Sequence, residues 1–149
     1  MVKEGEKTYE YGWLDMVIRI SENDKELARF EYHNNNQIEK AIRENGTETF
    51  EWDGLALIER GDTKYINESH PGGGNPILAI SGGNTEAIFT DILGTSLGFV
   101  KDEKYLGVTK TSFGAESSDK SSFFTGKAYV EDLGYVFLLR NYCTDWANG

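Results

Sequence analysis

The residues that could do chemistry in this chain are few and widely spaced. Three aspartates, Asp91, Asp132 and Asp145, lie in or beside turn-like steps. An aspartyl mechanism needs two carboxylates close enough to share a proton, which splits their pKa values. The spacing brings no two of them together, and turn or capping roles account for Asp91 and Asp132. Serine chemistry lacks a Gly-x-Ser-x-Gly step, and His33 and His70 sit far apart in turn-like stretches. Cys143 is the single cysteine, which leaves no internal disulfide and no multi-cysteine metal site. A reactive thiol would need a basic neighbour, and Arg140, three residues away, falls on the opposite strand face. The stretch from His70 to Pro76 is rich in Gly, but no Gly-Lys-Ser/Thr follows it and no helix opens after it. The expectation is no catalytic residue, no metal and no cofactor.

Aromatic chemistry is better supplied. Aromatic residues make up 13% of the chain. Trp13, Trp52 and Tyr65, with Asn and Asp nearby, would suit stacking on a sugar if they lay exposed in a concave groove. The competing role is inward packing, in which each ring buries a large area.

These rings belong to elements with a simple pattern. Tyr9-Glu10-Tyr11, Phe30-Glu31-Tyr32 and Phe50-Glu51-Trp52 start 21 and 20 residues apart. Each is followed by a polar or Gly-containing turn and then an apolar stretch. Side chains alternate along a strand, so both aromatics of a triplet share one face and the Glu takes the other. A fixed period near 20 marks a repeated supersecondary unit. Glu10, Glu31 and Glu51 are expected outside and their aromatic neighbours inside.

Turn chemistry divides the rest. A strand is expected from Leu14 to Ser21, with Met16, Ile18 and Ile20 on one face. Asn23-Asp24 turns it into Lys25 to Tyr32. A helix over 27–43 is disfavoured by Asn34-Asn35-Asn36, since Asn prefers turns to helix interiors. Asn45-Gly46 reads as a type I′ turn, setting Ile42 opposite Thr49 and Ala41 opposite Phe50. Gly61-Asp62 and Gly82-Gly83 mark two more hairpins. Residues 91–96 have room for a short helical turn. Val108 to Thr111 looks extended, 114–122 reads as a Ser-rich loop, and Tyr135 to Tyr142 as a last strand. The resulting fold class is all-β, an antiparallel meander of repeated hairpins with at most one or two short helical turns.

At 149 residues the chain is one domain or part of a larger one. Its 25 acidic and 15 basic residues give a net charge of −10. That disfavours a nucleic-acid backbone and an anionic membrane surface as partners. No apolar run approaches the ~20 residues that span a bilayer, and the charged start has no signal-peptide core. A cytoplasmic location is expected unless the chain is exported as part of a larger system.

In this order the motifs resemble the bacterial Rhs (rearrangement hot spot) family of YD-repeat proteins, over nearly all of Tyr9 to Tyr142. Phe50-Glu51-Trp52-Asp53-Gly54 is similar to the YD repeat, and Tyr32 with its Asn run and Tyr11-Gly12 are looser copies. Thr90-Asp91-Ile92-Leu93-Gly94-Thr95, Ser112-Phe113-Gly114, Phe124-Thr125-Gly126-Lys127, Leu133-Gly134-Tyr135 and Arg140-Asn141-Tyr142 resemble steps of the Rhs-associated core. The closing signature departs from the family's Arg-Tyr-Tyr-Asp-Pro, reading Arg140-Asn141-Tyr142-Cys143-Thr144.

The resemblance implies a piece of a β-spiral that elsewhere winds into a toxin-enclosing shell. It divides the chain into a frayed segment (1–8), YD-like repeats (9–69), a crossing loop (70–76), a core-like segment (77–142) and a polar tail (143–149). It implies a scaffolding role without catalysis. Partners would be the chain itself through open strand edges, a larger Rhs protein, or a toxin domain. Alternatives are a carbohydrate-binding module using Trp13, Trp52 and Tyr65, a remnant of an aspartyl autoprotease core, or a toxin-binding partner protein.

Overall fold

The computed structural model describes residues 2–69, 74–107, 123–124, 127–130 and 133–135. Twelve strands form one antiparallel sheet in chain order: β1 (Val2–Glu4), β2 (Lys7–Tyr11), β3 (Val17–Glu22), β4 (Lys25–Tyr32), β5 (Ile38–Arg43), β6 (Gly46–Asp53), β7 (Ala56–Arg60), β8 (Thr63–Asn67), β9 (Pro76–Ser81), β10 (Asn84–Thr90), β11 (Ser96–Lys101) and β12 (Lys104–Gly107). A second sheet has three short strands, β13 (Phe123–Phe124), β14 (Lys127–Val130) and β15 (Gly134–Tyr135). The all-β meander is as the turn signals imply, and the described residues contain no helix.

The two ends of the large sheet differ. At one end the hairpins close tightly, for example Glu22↔Lys25, Arg60↔Thr63, Ser81↔Asn84 and Lys101↔Lys104. Asn23 and Asp24 both have positive φ (50° and 63°), as a type I′ turn requires. At the other end, three connections are matching five-residue loops. The amide of Gly12 bonds the Met16 carbonyl, that of His33 the Gln37 carbonyl, and that of Asp91 the Thr95 carbonyl. The fourth residue of each loop, Asp15, Asn36 or Gly94, takes positive φ. Residues 91–95, where a helical turn had room, form the third of these loops.

Every hairpin at the looped end carries a β-bulge. The register skips Ile18, Glu39, Ile58, Ile77 and Leu97 in β3, β5, β7, β9 and β11. These positions are 21, 19, 19 and 20 residues apart. The repeat therefore occurs five times and runs through β11, past the three copies that the triplets reveal. The sheet also continues in strand order across the 70–76 crossing.

The bulge changes which residues face the core. In a regular strand, residues three apart lie on opposite faces. With an extra residue between them, Val17 and Ile20 are both buried, as are Ile38 and Ala41, Leu57 and Arg60, and Pro76 and Ala79. This corrects the expected grouping of Met16, Ile18 and Ile20. Met16 and Ile20 are buried, but Ile18 is the bulged residue and Val17 takes the inward place. The strand also begins at Val17, because Gly12 to Met16 is loop.

Two further expectations are corrected. The turn at Asn45-Gly46 is centred one residue earlier, giving Ile42↔Thr47 and Ala41↔Glu48. Its positive φ falls on Gly46 (139°), which starts β6. The register moves by two residues, so every side chain keeps its face. The charged N-terminal stretch is not frayed throughout, because Gly5 (φ 60°) turns Val2–Glu4 back onto β2.

The core-facing side of the triplets is Tyr9, Phe30 and Phe50, all buried. Tyr11, Tyr32 and Trp52 are partly buried and pack against that core, while Glu10, Glu31 and Glu51 lie on the outer face. Phe123, Ala128, Val130 and Leu133 of the small-sheet segment join the same core. Phe123 meets Tyr65 edge-on at 5.8 Å, and its amide donates to Ser96 Oγ at 2.8 Å. The expected strand at 108–111, the loop at 114–122, the strand beyond Tyr135, and the tail at 143–149 lie outside the described residues. So do His70, Asp132, Arg140, Cys143 and Asp145.

Candidate binding surface

The third residue of the second and third triplets ties its repeat to the one before. Tyr32 Oη donates to the Val17 carbonyl at 2.7 Å, and Trp52 Nε1 donates to the Ile38 carbonyl at 2.8 Å. At the same place in the fourth repeat, Asn67 Nδ2 donates to the Leu57 carbonyl at 3.0 Å. Val17, Ile38 and Leu57 each immediately precede a bulged residue. Three residue types thus share one role: each brings an N–H or O–H to the same backbone acceptor, which a buried carbonyl requires. Asn67 also brings an acceptor, Oδ1, which is buried without a hydrogen-bond partner among the described residues.

This ladder decides where the expected sugar-stacking residues lie. Trp52 is half-buried with its indole N–H committed to Ile38. Tyr65 is 5% exposed and packed on Phe123. Tyr65 therefore has almost no open face, and Trp52 only part of one. Trp13 differs: it is 92% exposed, at the tip of the 12–16 loop. Beside it a groove of about 270 Å³ runs between the 12–16 and 33–37 loops, lined in part by Trp13, Tyr32, His33, Asn34 and Asn36. The run of Asn residues, legible in sequence only as a turn, therefore stands across a groove from an open indole. The His33 amide bond to Gln37 closes its loop. Buried Gln37 anchors that loop by donating to the Gly54 carbonyl at 2.7 Å. A larger cleft of about 610 Å³ lies at the same sheet end, between Asp53–Ala56 and the 67–69 and Gly74 segments.

Asp91 is occupied structurally. Its Oδ1 accepts from the Leu93 and Thr95 amides, both at 2.9 Å, closing its loop. Among the described residues, no group of three or more His, Cys, Asp or Glu is placed to hold a metal ion. Among the same residues, no helix is long and apolar enough to cross a membrane.

Charge is sorted between the two faces of the sheet. The outer face of β2–β5 carries a ladder of opposite charges: Arg19 bridges Glu10 and Glu26, Arg29 bridges Glu26, and Lys40 bridges Glu31. At the tight-turn end, Lys25 and Glu44 join neighbouring turns at 2.8 Å. The hydrogen bond between them raises the Lys25 pKa and lowers that of Glu44. The Glu31 carboxylate likewise raises the pKa of Lys40. On the core face, by contrast, Arg60 is buried and bonds Glu48 through Nε at 2.8 Å, with Arg43 on the other side of Glu48 at 3.5 Å.

Fold and surface together define an all-β antiparallel hairpin repeat with an aromatic groove at its looped end. No protein-family model and no curated relative matches the chain.

Proposed function

We propose that the chain is a non-catalytic structural module, a length of YD-repeat-type β-spiral like that of the Rhs proteins it resembles. The observation carrying this reading is the fivefold bulged hairpin, interlocked by the donors Tyr32, Trp52 and Asn67. Repeat sheets of this kind gain stability from each unit and its neighbour interfaces. Such a module builds a wall, and its partner would be more wall: a second copy or a longer Rhs-type chain meeting a strand edge. If the repeats are interchangeable, excising one whole period should preserve the sheet. Deleting residues 12–32 joins Tyr11 to His33 and replaces one triplet end by another. The shortened chain is expected to unfold in one cooperative transition with an undiminished β-type circular dichroism per residue. Collapse to a non-cooperative species would overturn the modular reading.

The groove beside Trp13 favours a second reading, a carbohydrate site in which a pyranose stacks on the indole and bonds the Asn34 and Asn36 amides. Its test is Trp fluorescence during titration with neutral mono- and oligosaccharides. The saturable change expected for the parent should vanish in Trp13→Ala, while stability stays within about 0.5 kcal/mol because the side chain is exposed. An unchanged response in that variant would place any sugar elsewhere.

A further inference from the structure

The repeat rule that puts Glu at the outward centre of each triplet holds for Glu10, Glu31 and Glu51 and then breaks. At the equivalent places of the fourth and fifth repeats stand Ile66 and Phe89. The bulged positions beside them are apolar too, Ile58, Ile77 and Leu97, as Ile18 is in the first repeat; only the second repeat has a charge there, Glu39. Tyr105 completes the set by lying over Gly98. A Cβ added at Gly98 would clash with the Tyr105 hydroxyl, and the Tyr105 ring meets Phe89 edge-on at 6.2 Å.

Ile58, Ile66, Ile77, Phe89, Leu97 and Tyr105 are each between 40% and 59% exposed. They run across six neighbouring strands, β7 to β12, on the side that is charged in β2–β5. At the usual strand separation the band is about 24 Å wide. Together these side chains leave roughly 500–600 Å² of apolar surface bare, the upper end of what a monomer tolerates. With its rim, that approaches the ~800 Å² per partner of a standard interface.

We propose that this band is where two copies of the chain pack face to face. Two features select a second copy as the occupant. The band is a nearly continuous apolar strip on a sheet, which sheet-on-sheet packing covers by interdigitating the two faces about 10 Å apart. The charge ladder of β2–β5 also lies to one side of the band, so a twofold arrangement avoids it and brings over the partner only Glu59 and Lys64, which face each other across β7 and β8. An axis parallel to the strands between β9 and β10 lays β7 of one copy over β12 of the other. The charged faces of β2–β5 then pass beyond the partner on opposite sides, so the two net charges of −10 are kept apart. This contact uses the sheet face and does not depend on pairing at strand edges.

The experiment measures mass by sedimentation equilibrium between 1 and 200 μM for the parent and two variants that place Glu on the band. Ile66→Glu/Phe89→Glu copies the triplets, and Leu97→Glu copies Glu39 at its bulge. The parent is expected to dimerise, and each variant to weaken the dimer at least 30-fold while keeping the parent's circular dichroism. If one variant misfolds, the other decides. A parent that stays monomeric to 200 μM would overturn the proposal, showing the band bare or covered by the chain itself. A dimer that survives in a folded variant would overturn it too, and would point to edge pairing.

Discussion

Glu48→Ala is expected to destabilise the fold by about 3–5 kcal/mol, the cost of breaking a buried ion pair by removing one partner. Arg60 projects from β7 onto the core face with its side chain 5% exposed. Its Nε and one terminal nitrogen bond the two oxygens of Glu48, at 2.8 and 3.4 Å. Its guanidinium also lies over the Phe50 ring, 5.3 Å from the centroid. Truncating Glu48 removes the carboxylate that Arg60 and Arg43 share. Arg60→Met should cost less, because Glu48 keeps Arg43 as its partner and the methionine fills part of the volume. The double change Glu48→Leu/Arg60→Met should recover most of the loss, since a buried pair exchanged for apolar residues is often neutral or better. Urea unfolding of all four proteins checks the order. If Glu48→Ala costs no more than Arg60→Met, the pair is not the counterion arrangement its geometry describes.

The position of that pair shows what the sequence made legible and what it hid. Tight turns are local, so Asn23-Asp24, Gly61-Asp62 and Gly82-Gly83 announced hairpins that form where expected. The triplets were legible because a period of two is visible in three adjacent residues. The bulges were not, since an extra residue leaves no mark until the partner strand is known. It makes i and i+3 share a face, which mimics neither strand nor helix over a short run. Hence strand alternation alone groups Ile18 with Ile20, and it does not reveal the fourth and fifth repeats, where Tyr65-Ile66-Asn67 and Ile88-Phe89-Thr90 replace the aromatic-Glu-aromatic form. The groove beside Trp13 was hidden for a related reason. Its walls, the 12–16 and 33–37 loops, are adjacent only because β3 and β4 bring them to one sheet end. Trp52 and Tyr65 carried the same ring chemistry as Trp13, and only their hydrogen bond and ring contact separate packing from exposure.

Phe50→Ala tests whether the repeats form one cooperative body. Phe50 is 1% exposed and sits in the third of five repeats, so its loss opens a cavity between units on both sides. A buried Phe→Ala change typically costs about 3–5 kcal/mol, and here the ring contact with Arg60 is lost as well. Tyr9 occupies the equivalent place in the first repeat, with β1 as the only strand beyond it in the described sheet. In a nearest-neighbour solenoid a terminal unit supports one interface and a central unit two. Tyr9→Ala should therefore cost less than Phe50→Ala, and it should fray β1 to β3 before the remainder melts. Hydrogen exchange reads this directly. In Tyr9→Ala the amides of β2 and β3 should exchange faster while β7 to β10 keep the parent's protection. In Phe50→Ala, protection should fall on both sides, from β4 through β8. Equal loss of protection in every strand of both variants would mean that the sheet unfolds only as a whole. The interlock through Tyr32, Trp52 and Asn67 would then couple the first four repeats more tightly than nearest-neighbour contacts allow.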